Sequence, residues 1–478
     1  MTDSTQKLPP PDALLVEMAS FAANPPAVGD NTLQASMHCL LDSMGVALMA
    51  LQQPECARWL GPVVPGTNLP LGARLLGTDL ELDPATAAFD LALCMRWLGL
   101  QCMRPGRETI SLADPIAPIL SAADWLGRNI WHSGQFRAYG SPLASRDMPP
   151  TMKDVLCAVA RAQEIQGALA EANSWIALGL DPSVLSRVAS TAVLIPLLGG
   201  TRDQILAAVS LAWQAGVNPL ADPHRSAWTA ATDASQAVSL SLRALAGDQG
   251  WPNVLTTPRT GFQDACHGGT ALKISFSIGS SVPEEAVYNL AHPDALSAQT
   301  AAEAALRLHP AVAGRLGDIE RVDVATHAAG LALGAQAESN PRRSLVRAVA
   351  ASLVFGRLGD EQLSGPCDSA VCALEAKIRV REEAGYTADS YDPDKRALPN
   401  SIQVFFRGGA HTERAVCEYP IGHYRRHTEA VPLLFSKAEA AISGRFDEAR
   451  AEEIIDLFDR PSGLLGMPVT QFVDLWIA

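Results

Sequence analysis

From about Asp12 to Gly261 apolar residues return every three or four positions, broken only briefly at Gly and Pro. That period predicts a packed set of amphipathic helices. One helix is read over Thr151 to Leu178, where Val155, Val159, Ala162 and Ile165 share a face. Another opens at Thr201-Arg-Asp-Gln204, a capping-box sequence preceding ILAAVSLAW, with Gly199-Gly200 ending the helix before it. After Leu272 the texture changes. KISFS at 273–277, IERVDVATH at 319–327, SIQVFFRG at 401–408 and ERAVCEYP at 413–420 are rich in β-branched or aromatic residues and predict strands. The last two flank Gly408-Gly409-Ala410-His411-Thr412, a hairpin signal. Helical runs at 298–308 and 342–357 lie between the first three strands, and the chain turns helical again after about Val431. The expected fold is mainly α: a large all-helical domain from 12–271 and 431–478, with a smaller α/β lid domain at 272–430.

A length of 478 residues favours two domains. A net charge of −14 argues against a nucleic-acid partner, and an anionic ligand would need a local basic pocket. No apolar run of about eighteen residues predicts a membrane span, and the opening residues lack a signal-peptide pattern, so a cytoplasmic protein is expected. The nine cysteines are scattered, and the one close pair, Cys367 and Cys372, lacks zinc-site spacing, so reduced, buried thiols are expected. His423 and His427 stand four apart, but the cations of IGHYRRH point to a basic solvated turn rather than a metal site. There is no Walker A loop, no GxGxxG after a strand, no HExxH and no GxSxG, and no cofactor is expected.

Longer motifs carry more. CLLDSMGVALMAL (39–51), ECARWLGPVVPGT (55–67), GARLLGTDLELDPATAAFDLALCMRWL (72–98) and SAADWLGRN (121–129) resemble the opening of the 2-methylcitrate dehydratase (MmgE/PrpD) family. QEIQGALAEANS (163–174), VASTAVLIPLLGGTRDQILAAVSLAW (188–213), YDPDKRALPNSI (391–402) and EYPIGHYRRH (418–427) extend the resemblance over nearly the whole chain. It implies a helical domain with a smaller α/β lid, a homodimer, a small-molecule substrate and no metal. The implied chemistry is elimination of water from a tricarboxylate or, in a sister branch, loss of carbon dioxide from cis-aconitate.

The resemblance weakens where that family keeps its reactive groups. After the shared RWL at 96–98, the family's two aspartates, threonine and histidine align with Gly99, Cys102, Met103 and Ser111, and only Asp114 survives. Its histidines align with Pro182, Gln163 and, near the insertion after KISF, Ser297; its lysine aligns with Ser226. The reactive groups left in or beside these segments are the catalytic candidates Glu108, His224 and Cys102 and the substrate-binding candidates Arg104, Arg107, Arg225, His267, Met103 and Trp175, with His292 in the insertion. Taken singly, each of the charged, His and Cys candidates is more often a solvated loop residue or a packed core residue than a ligand contact, while for Trp175 core packing and ligand stacking weigh equally. Trp228 matches a second family aromatic. Elimination needs an acid or base at the reacting carbon and cations for the carboxylates. The expectation is a repurposed enzyme that isomerises, cyclises or eliminates on a less anionic molecule. The alternatives are a dehydratase with Glu108 or His224 as base and Arg104 or Arg225 as clamp, and a non-catalytic paralogue.

Overall fold

The structure is a computed structural model that describes residues 9–130, 148–220, 223–274, 276, 281–290, 296–335, 344–364 and 368–478. It divides into two compact units, the first formed by Met1–Trp97, Glu108–Ala286 and Phe435–Ala478, the second by Leu98–Arg107 and Val287–Leu434. Among the described residues no helix is long and apolar enough to cross a membrane.

The first unit is helical. Its principal helices are α1 (Ala13–Ala23), α2 (Asp30–Leu51), α3 (Pro84–Trp97), α4 (Ile116–Asn129), α5 (Met152–Ala172), α6 (Ser183–Leu197), α7 (Arg202–Gln214) and α8 (Pro223–Leu245). Two of them start as the sequence predicts. Thr151 and Asp154 close a capping box at α5, and Thr201 and Gln204 close one at α7, each satisfying amides that the first turn leaves unpaired. Gly199, at φ 86°, lets the Gly200 amide turn back 2.8 Å to the Ile195 carbonyl and end α6. On α5, Val155, Val159, Ala162 and Ile165 are all buried, as the periodicity requires. Gly167 on the same helix admits Val282, since a Cβ there would lie 2.6 Å from its methyl. Helix α8 packs against α3 and α6, and α5 against α6. The chain end returns to this unit: the Met152 amide meets the Met467 carbonyl at 2.8 Å, and Trp476 is wholly buried.

The described residues of the KISFS segment form no strand. Lys273, Ile274 and Phe276 have no ladder partner, and residues 275 and 277 lie outside the described residues. The Asn173 side chain accepts from the Lys273 amide at 2.9 Å and donates to its carbonyl at 2.8 Å. One side chain thus satisfies what a neighbouring strand would have done. Phe276 stacks on Phe21 with ring centroids 4.1 Å apart.

The second unit holds a four-stranded sheet of β1 (Ile319–Thr326), β2 (Ile378–Glu382), β3 (Asn400–Phe406) and β4 (Ala415–Cys417), in the order β2-β1-β3-β4. β1 runs parallel to β2 and antiparallel to β3, with Val324 opposite Val380 and Ile402. β3 and β4 form the predicted hairpin, and Gly408 and Gly409, both at φ 89°, make its turn. Helices α9 (Leu296–Val312) and α10 (Leu345–Phe355) share a core with the sheet that includes Ala302, Val322, Val324, Val349, Leu353 and Val404.

Candidate functional site

In the helical unit, three elements bring buried charges together. Arg96 lies in the last turn of α3, Asp114 precedes α4, and Ser226 is in the first turn of α8. Arg96 Nη1 donates to both oxygens of Asp114, at 3.1 and 3.2 Å, and Nη2 donates to Ser226 Oγ at 2.7 Å. A second pair lies nearby. Arg187 on α6 donates to Asp233 Oδ1 on α8 at 2.6 Å, to Gln236 Oε1 at 2.7 Å and to the Gly216 carbonyl. Ser183 Oγ donates to the other Asp233 oxygen at 2.5 Å, and the Ser183 amide donates to Asp181 at 3.0 Å.

These pairs sense one another electrostatically. Burial pushes the Asp114 carboxyl up; the Arg96 charge opposes this, and Asp181 adds to it. Burial likewise pushes Asp233 up against the opposing charge of Arg187, with Asp181 and Asp114 adding to the rise. Asp114, Asp181 and Asp233 set against Arg96 and Arg187 leave one net negative charge when all are ionised. Such a group can hold a proton on a carboxyl and present a guanidinium to an anion.

The residues singled out from sequence fall into separate places. Glu108, Trp175 and His267 come together in a buried knot of the helical unit. Glu108 accepts from the Trp175 and Ile176 amides at 2.7 and 3.4 Å, at the start of a short 3₁₀ turn. His267 sets Nδ1 2.9 Å from the Thr270 carbonyl and Nε2 3.2 Å from the Ser174 carbonyl, with its ring 5.2 Å from Trp175. Trp175 also meets Trp213 and Phe262 at 6.1 and 6.4 Å.

Cys102, Met103, Arg104 and Arg107 belong to the Leu98–Arg107 strip of the second unit. Cys102 and Arg104 are buried, Met103 is half-buried with its backbone paired to Val287, and Arg107 is exposed. Arg225 follows His224 on the first turn of α8 and is exposed, while the His224 side chain and the whole of His292 lie outside the described residues. Trp228 is at the surface, edge-on to Trp59 and Phe89 at 5.4 and 5.0 Å.

The positions that the family resemblance singled out have local work. Gly99 sits at φ 66°, where any side chain is strained, and its carbonyl accepts from Asn289 at 2.8 Å. Gln163 and Gln166 hold the Leu112 and Ser111 carbonyls at 2.6 and 3.2 Å, fixing the backbone just ahead of Asp114. Pro182 stands at the N-terminus of α6, beside Asp181 and Ser183. The Ser297 carbonyl accepts from Asn400 at 2.9 Å.

Two expectations need correction. His423 is not in a solvated turn: it is wholly buried, with Nε2 3.1 Å from the Arg396 carbonyl, and burial pushes it down to about 4. A run of cations marked the segment as polar without revealing that its histidine points inward. Cys372 is disulfide-bonded, unlike the reduced thiols expected throughout, and Cys367 lies outside the described residues. Among the described residues no group of three or more His, Cys, Asp or Glu is disposed to hold a metal ion.

Comparison with known proteins gives two matches that span the chain. The MmgE/PrpD N-terminal domain matches residues 16–275, and the MmgE/PrpD C-terminal domain matches residues 292–460. The chain is 36% identical to a 2-methylcitrate dehydratase of Escherichia coli (strain K12), covering 98% of this chain and 97% of that one. It is also 36% identical to a 2-methylcitrate dehydratase of Cupriavidus necator, over 99% of both. A 2-methylcitrate dehydratase-like protein of Aspergillus oryzae is 33% identical over 92% of this chain and 90% of that one. Family domains matched over residues 16–275 and 292–460, with 36% identity across nearly the whole chain, establish that the chain belongs to the MmgE/PrpD family.

Proposed function

We propose that the protein is a carbon–oxygen lyase of the 2-methylcitrate dehydratase type, eliminating water from a hydroxy acid less anionic than a tricarboxylate. One observation carries the reading: the part-buried Arg96–Asp114–Ser226 arrangement in a chain so similar to dehydratases. Elimination needs a proton delivered to the departing hydroxyl and a cation at the carboxylate, where enediolate charge develops. Asp114, pushed up by burial, is suited to give the proton, and Arg96 to meet the carboxylate. His224, two residues before Ser226, is assigned as the base, because the Glu108 carboxylate is committed to backbone amides. With Asp114 holding its proton, Asp181 and Asp233 balance Arg96 and Arg187, so the cluster has no surplus cation for a second or third substrate carboxylate, and each such contact is worth about 4 kcal/mol at 4 Å and an effective dielectric constant of about 20. The reading takes the protein as a cytoplasmic homodimer working without a cofactor.

The test is mass-spectrometric detection of water loss from 2-methylcitrate, citrate and a panel of hydroxy mono- and dicarboxylates. Turnover within the panel that falls at least about a hundredfold in Asp114→Asn and Arg96→Gln supports the proposal. Water loss from none of them overturns it. Turnover of 2-methylcitrate within about a hundredfold of an authentic dehydratase overturns the substrate assignment. A second reading, an isomerase or cyclase, is favoured by the unionisable residues at Gly99, Met103, Ser111, Pro182 and Ser226. It predicts a product equal in mass to its substrate.

A further inference from the structure

A cavity of about 200 Å³ lies in the helical unit among residues of α1, α5 and α6, and no step of the proposed elimination uses it. Its polar side comes from one stripe of α5, because Lys153, Cys157 and Arg161 follow one another at intervals of four. Asp154 also lines it, but that carboxylate is bonded to the Thr151 amide and hydroxyl at 3.0 and 3.1 Å to close the capping box. Val193 and Leu197 form part of the apolar side. Among the described residues neither Lys153 nor Arg161 makes an ion pair, and Arg161 Nε is buried without a hydrogen-bond partner. An unpartnered donor held out of water costs about 1–3 kcal/mol, and more when it is charged, unless something arrives to accept from it.

We propose that this cavity binds a small carboxylate with a short apolar tail, its anionic end between Lys153 and Arg161 and its tail against Val193 and Leu197. Lys153 and Arg161 against the one carboxylate of Asp154 leave the lining a net positive charge that selects an anion, and the hydrocarbon wall selects against inorganic ones. At about 30 Å³ per water-sized group the space holds about six or seven non-hydrogen atoms, which suits a carboxylate of four or five carbons. The site is independent of the Arg96–Asp114 cluster and of the reaction assigned to it.

Cys157 reports on occupancy, because it is half-buried inside the cavity, whereas Cys266, also half-buried, lies outside it. The experiment follows iodoacetamide labelling of both cysteines in the full chain by peptide mass spectrometry, with butyrate or neutral butyramide as the probe. Butyrate at about 10 mM should slow Cys157 labelling at least about fivefold and leave Cys266 unchanged, and butyramide should protect neither. In Arg161→Gln or Lys153→Gln the butyrate concentration giving half-protection should rise about tenfold or more. Lys153 is exposed, so its substitution tests the site even where Arg161→Gln folds poorly. A Val193→Phe variant, filling the apolar end, should abolish the effect of butyrate. No protection by butyrate, equal protection by butyramide, or protection that survives both cation substitutions would overturn the proposal.

Discussion

Removing Arg187 should be among the most damaging single changes in the helical unit, and its cost can be worked from the geometry. The Arg187 and Asp233 side chains are 1% and 2% exposed, so neither end of the pair has water to fall back on. Arg187→Met strips Asp233, Gln236 and the Gly216 carbonyl of a donor at once. Breaking one partner of a buried pair costs about 3–5 kcal/mol, a large part of a typical domain stability of about 5–15 kcal/mol. The midpoint of thermal unfolding should fall by on the order of 10 °C. The sign of the pH dependence follows from Asp233, whose carboxyl burial already raises and whose opposing partner Arg187 would be gone. A raised folded-state pKa gives stability that is present at low pH and lost as pH rises through it, so the deficit should be smaller near about pH 5 than near about pH 8. In Arg187→Met/Asp233→Leu no charge is stranded, and the penalty should shrink to about 1–3 kcal/mol for the remaining Ser183, Gln236 and Gly216 groups. Urea denaturation of the single and double variants measures this coupling. A single-variant loss below about 1 kcal/mol, or a double variant as unstable as the singles added together, would refute the reasoning.

Asp90 accepts from the Gly61 amide at 2.7 Å, and burial first, then Asp83, push it up to about 7. The stability it gives in acid is therefore lost as pH rises from about 4 to about 7, and Asp90→Asn should flatten the fall in denaturation midpoints over that window and exceed the parent above it. Thr201→Ala, which opens the α7 capping box, should cost about 1 kcal/mol by the same denaturation assay. Gly409→Ala places a Cβ at φ 89° in the β3–β4 turn and should cost about 1–3 kcal/mol, with loss of amide-exchange protection at Phe406 marking the damage as local to the hairpin.

What was legible in the sequence is what short-range chemistry decides. Thr201 and Gln204, or Thr151 and Asp154, are three residues apart and carry their own instructions, as do the glycines between β3 and β4. β2 was missed because it is a short edge strand whose Arg379, Arg381 and Glu382 read as loop, although charge is how an exposed edge is kept from pairing with another chain. KISFS was misread for the opposite reason, since its composition suits a strand but Asn173 occupies its backbone. The candidate site divides the same way. Glu108, Trp175 and His267 were singled out and do meet, yet Arg187 and Asp233 were passed over within helical segments and Asp181 in the connection before one of them. Arg187 and Asp233 are 46 residues apart, and nothing local in either helix states that its polar residue faces the other.

The same distant pairing bears on the substrate. The position that the family resemblance gives to a lysine is Ser226, and here its hydroxyl receives Arg96 Nη2 at 2.7 Å. A lysine ammonium has no lone pair to accept with, so on that resemblance this is a hydrogen bond that the family's lysine could not make. One positive charge fewer, in a group holding three carboxylates and two guanidiniums, would weaken attraction for an anion by about 4 kcal/mol at 4 Å and an effective dielectric constant of about 20. That is about a thousandfold in affinity for each charge so placed. Ser111, where the resemblance gives a histidine, is instead part of a backbone held by Gln166, and Gly99 sits where a side chain would be strained. On that resemblance Ser226 and Ser111 leave less positive charge and proton-transfer capacity around Arg96 and Asp114 while the helices that position both remain, which supports a hydroxy acid with fewer carboxylates as the substrate to try first.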